Sequence, residues 1–334
     1  MATAVLRREK QSSGLRPVEP SRDLTKVARL IQTAFADDLD RSGYSMLREM
    51  RNVGRLGPLL WWFEQGQTGL SDLLAGFVWV EDDQVVGNVT ISQVSPNSHR
   101  WVISNVAVAP PYRGRGIARA LMQAAMDFIA SRHGKIVSLQ VRDDNAAALH
   151  IYRSIGFHDV FGTSTLRHNA VPAIKPLALS AAGMQLRSFE AADSQLAFQL
   201  ACAAAPEAVQ SEQPIRSSRY MLAFETRLVG WFKELVGSGP PLRLVIENHS
   251  RLEAMVTAEP SAWQSEGSIT LIVRPSARGM VEKELVSHAL SHLRRWSQDV
   301  AVTRHPTYHP EGMAAFTSFG FREERTLLWM KCEL

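Results

Sequence analysis

Residues 103–128, ISNVAVAPPYRGRGIARALMQAAMDF, hold the side chains and spacings best suited to chemistry in this chain. An apolar run leads through Pro110 and Pro111 into a turn carrying Arg113, Gly114, Arg115 and Gly116. Beyond it Ile117, Leu121, Ala124, Ala125 and Phe128 recur at helical spacing. The first N–H groups of a helix have no intrahelical acceptor and the peptide dipoles add positive potential, so the order strand, glycine turn, helix favours an anion at the turn. Gly114 and Gly116 would let a phosphate approach the backbone, and Arg113 and Arg115 add counter-charge. A pyrophosphate fits such a turn. A plain strand-to-helix connection uses the same two glycines, and these residues alone leave both readings open. No Lys-Ser/Thr pair follows the last glycine and no third glycine completes a dinucleotide fingerprint, which excludes those two phosphate loops.

Other chemistry-bearing residues point less sharply. Asp37, Asp38 and Asp40 could attract an ammonium group, and Asp143 and Asp144 could serve as a base, but such runs are ordinarily solvated turns. Tyr44, Trp61, Trp62, Phe63 and Trp101 suit either an acceptor pocket or a core. His288, His292, His305 and His309 have no HExxH around them, and no metal is expected. Cys202 and Cys332 stand apart, which argues against disulfide or zinc chemistry and for a reducing, cytoplasmic setting.

The elements that must position these residues emerge from an internal repeat. Leu15-Arg16-Pro17 is echoed by Leu186-Arg187-Ser188 at an offset of 171. Pro110, Arg113 and Gly114 match Pro275, Arg278 and Gly279 at 165, and Ser154, Gly156 and Phe157 match Ser318, Gly320 and Phe321 at 164. Three blocks in one order at nearly constant offset imply two copies of one domain. That agrees with 334 residues, against a common domain size of about 100–150. The division expected is a flexible tail over 1–14, a first domain over 15–170, a Pro-containing linker over 171–183 and a second domain over 184–334.

In the first copy the pattern predicts strands at 15–18, 73–80, 85–94, 101–108, 136–142 and 163–168. Helices are expected at 23–36, 44–53, after the glycine turn, and at 146–155. The second copy reads as strands at 185–189, 242–247, 252–258, 268–273 and 326–331, with helices at 193–204, 216–235, 281–296 and 311–318. Each copy is thus a mixed-sheet α/β domain. The longest apolar runs fall far short of the roughly 20 residues that cross a bilayer, so no membrane association is expected. The net charge of +4 comes from the first half, with 20 basic and 16 acidic residues over 1–170 against 17 of each beyond. Without a basic cluster interleaved with aromatics, this does not point to nucleic acid.

Arg113-Gly114-Arg115-Gly116-Ile117-Ala118 resembles the acetyl-CoA motif, Q/R-x-x-G-x-G/A, of the GNAT superfamily of N-acetyltransferases. The second signature of that family, an Asn, a helix bearing Tyr, then Gly-Phe, stands as Asn145, Tyr152, Gly156 and Phe157. The resemblance covers about residues 100–160 and implies two tandem GNAT-like acyl-CoA N-acyltransferase domains, similar in arrangement to mycothiol synthases. It further implies that backbone groups of Val106, Ala107 and Val108 hold the pantetheine arm. The amides of Arg113, Gly114, Arg115, Gly116, Ile117 and Ala118 would hold the pyrophosphate, Asn145 would contact the cofactor, and Tyr152 would protonate the departing thiolate. Asn145 also suits a helix N-cap, and Tyr152 a core aromatic. The strand Ile103-Ser104-Asn105-Val106 offers no carboxylate as general base.

The second copy departs from the motif. Val281 replaces the second glycine, Lys283 the small residue after it, Phe316 the tyrosine and His309 the asparagine, so this copy is expected to be non-catalytic. Mycothiol synthases are active in the C-terminal copy, so this polarity argues against that substrate. The activity implied is direct acetyl transfer from acetyl-CoA to a primary amine of a small molecule or peptide, by a monomer that is a pseudo-dimer or by a homodimer. The alternative is a non-catalytic acyl-CoA-binding regulator.

Overall fold

The computed structural model describes residues 13–35, 75–95, 97–220, 239–261 and 266–334. Asp37, Asp38, Asp40, Tyr44, Trp61, Trp62 and Phe63 lie outside the described residues. So do the helix expected over 44–53, most of that over 216–235, and residues 1–12 of the expected tail. The chain forms two compact units: Met1–Val141, Ala146–Asp159 and Met330–Leu334 make unit 1, and Arg142–Asn145 with Val160–Trp329 makes unit 2. Among the described residues no helix is long and apolar enough to cross a membrane.

Unit 1 is built on strands β1 (Ser13–Pro17), β2 (Gly76–Glu81), β3 (Gln84–Gln93), β4 (Arg100–Val108) and β5 (Ile136–Arg142), adjacent in that order. The pairs are antiparallel except β4 with β5. Ser13 and Gly14, expected in the tail, belong to β1. Helix α1 (Pro20–Ala34) begins with a proline, whose fixed φ suits a first turn, and buries Val27, Ala28 and Ile31 against Val78 and Val80. Helix α2 (Ile117–Ser131) buries Ile117, Leu121, Met122, Ala125, Met126 and Ile129, while Ala124 and Phe128 of the expected stripe are only partly buried. Helix α3 (Ala146–Ser154) buries Leu149 and Tyr152. The chain end returns to this unit, where the Leu334 N–H donates to the Lys135 carbonyl at 2.9 Å.

Unit 2 takes β6 (His158–His168), β7 (Gln185–Ser188), β8 (Leu242–Asn248), β9 (Arg251–Glu259), β10 (Glu266–Val273), β11 (Val300–Pro306) and β12 (Arg322–Glu333), in the spatial order β12-β6-β11-β10-β9-β8-β7. Residues 160–168 of β6, the closing strand of the first repeat, therefore lie in the sheet of the second, antiparallel to β11 with Leu166 opposite Thr303. Helices α4 (Ser194–Ala204), α5 (Glu207–Glu212), α6 (Glu282–Arg295) and α7 (Pro310–Ser318) complete the unit. Segment 171–183 is docked on this core: Val171 is buried in it, its N–H donates to the Asp299 carbonyl at 2.8 Å, and the Leu177 N–H donates to Ser287 Oγ at 2.8 Å.

Among the described strands and α-helices, β11 and α5 are not announced by the residue pattern. The buried positions of β11 are Ala301, Thr303 and His305, so its inward face is largely polar and hydrophobic alternation cannot reveal it.

The repeat extends to details of packing. In one copy both guanidinium nitrogens of Arg16 donate to the buried Asp23 carboxylate at 2.6 and 2.7 Å, and the Glu19 N–H joins them at 2.9 Å. In the other, Arg187 grips Asp193 at 2.6 and 2.8 Å and the Glu190 N–H adds a bond at 2.8 Å. Both clasps tie the first strand to the start of the following helix. The two-residue turns Asp82-Asp83 and His249-Ser250 also match, with φ of 47°, 61°, 47° and 63°, the primed geometry that suits strand twist.

Because Asp23 is fully buried, its removal leaves the Arg16 charge unpaired. Asp23→Ala is expected to lower unfolding free energy by about 3–5 kcal/mol in denaturant titration, whereas Asp159→Ala, at the exposed Arg153 pair, changes it by about 0–1 kcal/mol.

Candidate active site

Strand β4 is paired on one side only over most of its length. Its parallel pairing with β5 covers Arg100–Ile136, Trp101–Val137 and Val102–Ser138, and no further pair of the ladder is formed although both strands continue. On the β3 side the register runs from Gln93–Trp101 to Thr90–Ser104 and then resumes at Asn88–Ala107, so Asn105 and Val106 together face Val89. This is a β-bulge, with Asn105 at φ 52°. The buried Asn88 side chain stabilises it, its amide donating to the Asn105 carbonyl at 2.9 Å and to Thr90 Oγ1 at 3.3 Å; the Asn105 amide donates to Thr90 Oγ1 at 3.3 Å. No motif in the sequence singles out Asn88 or Thr90. The available signal was a polar Asn in the middle of the apolar run VVGNVTI.

The open stretch of β4 leads directly into the glycine turn. Pro110–Tyr112 forms a single 3-10 turn, Gly114 and Gly116 both take φ 77°, and Gly116 is the N-cap of α2. A Cβ at either glycine would meet nothing within 4 Å, so the backbone conformation, not crowding, demands glycine there. The first intrahelical bond runs from the Ala120 N–H to the Gly116 carbonyl at 3.0 Å. The N–H groups of Gly114, Arg115, Gly116, Ile117 and Ala118 find no backbone acceptor among the described residues. Arg113 Nε donates to the Val108 carbonyl at 3.2 Å. Arg115 donates to the Pro111 carbonyl at 3.1 Å, its guanidinium 4.9 Å from the centre of the Tyr112 ring. Both arginines are exposed and flank the turn with positive charge.

Comparison with known proteins gives this geometry a family. Residues 37–157 match the model of the acetyltransferase (GNAT) family. Streptothricin acetyltransferase of Streptomyces lavendulae is 32% identical over 133 residues, covering 37% of this chain and 68% of that protein. The chain belongs to the GNAT family of acetyltransferases. Its class of activity is N-acetyl transfer. The N-alpha-acetyltransferase RimI of Mycobacterium tuberculosis is 40% identical over 77 residues, 23% of this chain and 47% of RimI, so less than half of that relative is spanned. Among solved structures, a GCN5-related N-acetyltransferase from Sphaerobacter thermophilus superposes with a TM-score of 0.62 at 16% identity, over 97% of this chain and 96% of that one. A tandem GNAT protein from the clavulanic acid biosynthesis pathway gives 0.54 at 16% identity, over 96% and 98%. At these identities the likeness is one of fold, and it spans both repeats.

Within this GNAT chain, Val106, Ala107, Val108, the turn residues and Tyr152 all belong to unit 1. Asn145 falls in the 142–145 segment of unit 2, its N–H donating to the Arg142 carbonyl at 3.2 Å. Tyr152 is buried, its ring 6.2 Å from that of Phe157, and burial pushes its hydroxyl up to about 12. It thus stays protonated through the physiological range. Asp144 is engaged by Arg142 at 2.8 and 2.5 Å, and those hydrogen bonds hold its carboxyl below the usual range, which makes it a poor base. Trp101 is a core residue, buried edge-on against Phe128 at 6.1 Å. His292 Nε2 meets the Pro240 carbonyl at 2.8 Å.

Gly116→Val places a β-branched residue at positive φ, at a cost of about 1–2 kcal/mol in the loop, and sets a side chain over the unsatisfied N–H groups. Calorimetric titration is expected to show loss of acetyl-CoA binding with the fold retained by circular dichroism.

Proposed function

We propose that the first repeat transfers the acetyl group of acetyl-CoA to a primary amine within a ternary complex, and that the second repeat is non-catalytic. The observation that carries this reading is the open edge of β4, continuous with a glycine turn whose N–H groups from Gly114 to Ala118 find no backbone acceptor among the described residues. A thioester arm needs strand-like pairing partners and a pyrophosphate needs amides, and the two lie end to end here. Bound acetyl-CoA supplies the activated acetyl group.

The residues of the chain divide the remaining work. Backbone groups of Val106, Ala107 and Val108 orient the arm, and the bulge at Asn105 turns the strand so that an N–H can reach the thioester oxygen, where negative charge develops. Amides from Gly114 to Ala118, flanked by Arg113 and Arg115, anchor the pyrophosphate. Tyr152 gives its proton to the sulfur as the carbon–sulfur bond breaks, a role that its raised pKa keeps available. Asn145 contacts the cofactor from the head of α3. The incoming amine arrives neutral or loses its proton to water, since β4 carries no carboxylate. A small-molecule amine and a peptide amine both remain acceptors of this proposal, as streptothricin acetyltransferase and RimI represent the two classes by name.

The test is acetyl-CoA titration of the full chain followed by thiol release across a panel of amines and peptides. One binding site with release from an acceptor is the expected result; no binding would overturn the reading, and binding with no release would favour an acyl-CoA-binding regulator. Tyr152→Phe is expected to lower kcat by about 10²–10⁴-fold while acetyl-CoA affinity changes little. In the parent enzyme kcat should hold level past pH 10, where an ordinary tyrosine begins to ionise, because proton loss from Tyr152 is displaced to about 12.

A further inference from the structure

The turn of the second repeat poses the same problem as that of the first and solves it differently. Pro275–Ala277 forms the matching 3-10 turn, Gly279 takes φ 80°, and α6 begins at Glu282. Val281 cannot adopt the left-handed conformation of Gly116 and sits at φ −134°. Glu282 occupies the position of Ile117. Its Oε1 accepts the Gly279 N–H at 2.9 Å and its Oε2 the Val281 N–H at 3.1 Å, the amides that correspond to those of Gly114 and Gly116. The carboxylate is buried, and His309 Nε2, on the residue matching Asn145, meets Oε1 at 3.0 Å. Behind it His305 Nε2 lies 3.1 Å from His309 Nδ1.

The surroundings are packed to hold this chain of groups. His305 and His309 are both buried, Phe316 packs edge-on against His305 at 5.4 Å, and a Cβ on Gly312 would strike His305 Nε2 at 2.2 Å. Arg278, the counterpart of the exposed Arg113, is turned inward to the carbonyls of Tyr308 and Ala204 at 2.9 and 2.8 Å. Three positions that the first repeat devotes to its cofactor, Ile117, Asn145 and Tyr152, have thus been replaced together by Glu282, His309 and Phe316.

We propose that Glu282 is an internal anion that permanently occupies the pyrophosphate cradle of the second repeat, with His309 as its partner, and closes that repeat to nucleotide cofactors. The proposal rests on the reading of the matching turn, Arg113 to Ala118, as a pyrophosphate cradle. It names the carboxylate, rather than the bulk of Val281, as the decisive obstacle. The state of the carboxylate agrees: burial alone raises its pKa, but the hydrogen bonds from His309, Gly279, Glu282 and Val281 outweigh that and leave it lowered, so it stays charged.

The experiment uses the full chain in a Gly116→Val background, which silences the first repeat, with inorganic pyrophosphate as probe and the amide resonances of Gly279 and Val281 as readout. With Glu282 present those resonances are expected not to respond, and Val281→Gly should leave the remaining Gly279 resonance equally unresponsive. Glu282→Ala is expected to produce saturable shifts, with affinity at least tenfold above the Glu282 chain. Saturable binding while Glu282 is present, or none in a well-folded Glu282→Ala chain, would overturn the proposal. Should Glu282→Ala fail to fold, the wild-type chain decides: the Gly279 and Val281 amide shifts must titrate together at one midpoint below the ordinary glutamate range, and shifts that stay flat or move separately would overturn it. Neither readout depends on acetyl-CoA binding or turnover by the first repeat, so failure here is distinguishable from failure of the proposed function.

Discussion

The first N–H groups of a helix have no partner within the helix, and a side chain, water or an anion has to meet them. The constraint stands at matching positions of the two repeats, Gly116 and Val281, and much else in each repeat follows from how it is met. In the first repeat two left-handed glycines keep the backbone bare and the groups stay open to a ligand. In the second a carboxylate from the first helical residue meets them, and a buried histidine pair fills the space behind it. The same turn therefore leaves its amides without a backbone acceptor in one repeat and meets them with a carboxylate in the other, where Glu282 stands in place of Ile117.

The sheet shows the same divergence. Both repeats part their parallel strands early: β4 and β5 stop pairing after Val102–Ser138, and β10 and β11 after Ile269–Thr303. Of these two strands β4 has the bulge, whereas the register of β10 on β9 runs without a break from Ser268–Glu259 to Val273–Ala254. One inserted residue, fixed by the Asn88 amide, reorients the strand at the point where the opening begins. The second copy keeps the opening but lacks the device that would aim it.

What persists in both copies is the scaffold. The Arg–Asp clasps at Asp23 and Asp193, the primed turns and the helix faces are shared, because they serve folding whatever the site does. Asp193, held below the usual carboxylate range by Arg187, contributes stability above the ordinary carboxylate pKa and loses it as the pH falls toward its own lowered value. The two units also take strands from one another's repeat: residues 160–168 belong to unit 2 and residues 330–334 to unit 1.

The residues alone determined the family, the repeat and the turn, because glycines at Gly114 and Gly116, an arginine pair and helical periodicity are local signals carried by adjacent residues. Substitution of Gly116 by Val281 and of Tyr152 by Phe316 likewise marked the second copy as altered. Tertiary structure alone decided three things. The bulge at Asn105 depends on the register between β3 and β4, which adjacent residues do not encode. Strand β11 buries Thr303 and His305, so a hydrophobic pattern cannot reveal it. The contact of Glu282 with His309 joins residues that neither a helical nor a strand period connects, and only packing brings the carboxylate back over the amides that an anion must satisfy.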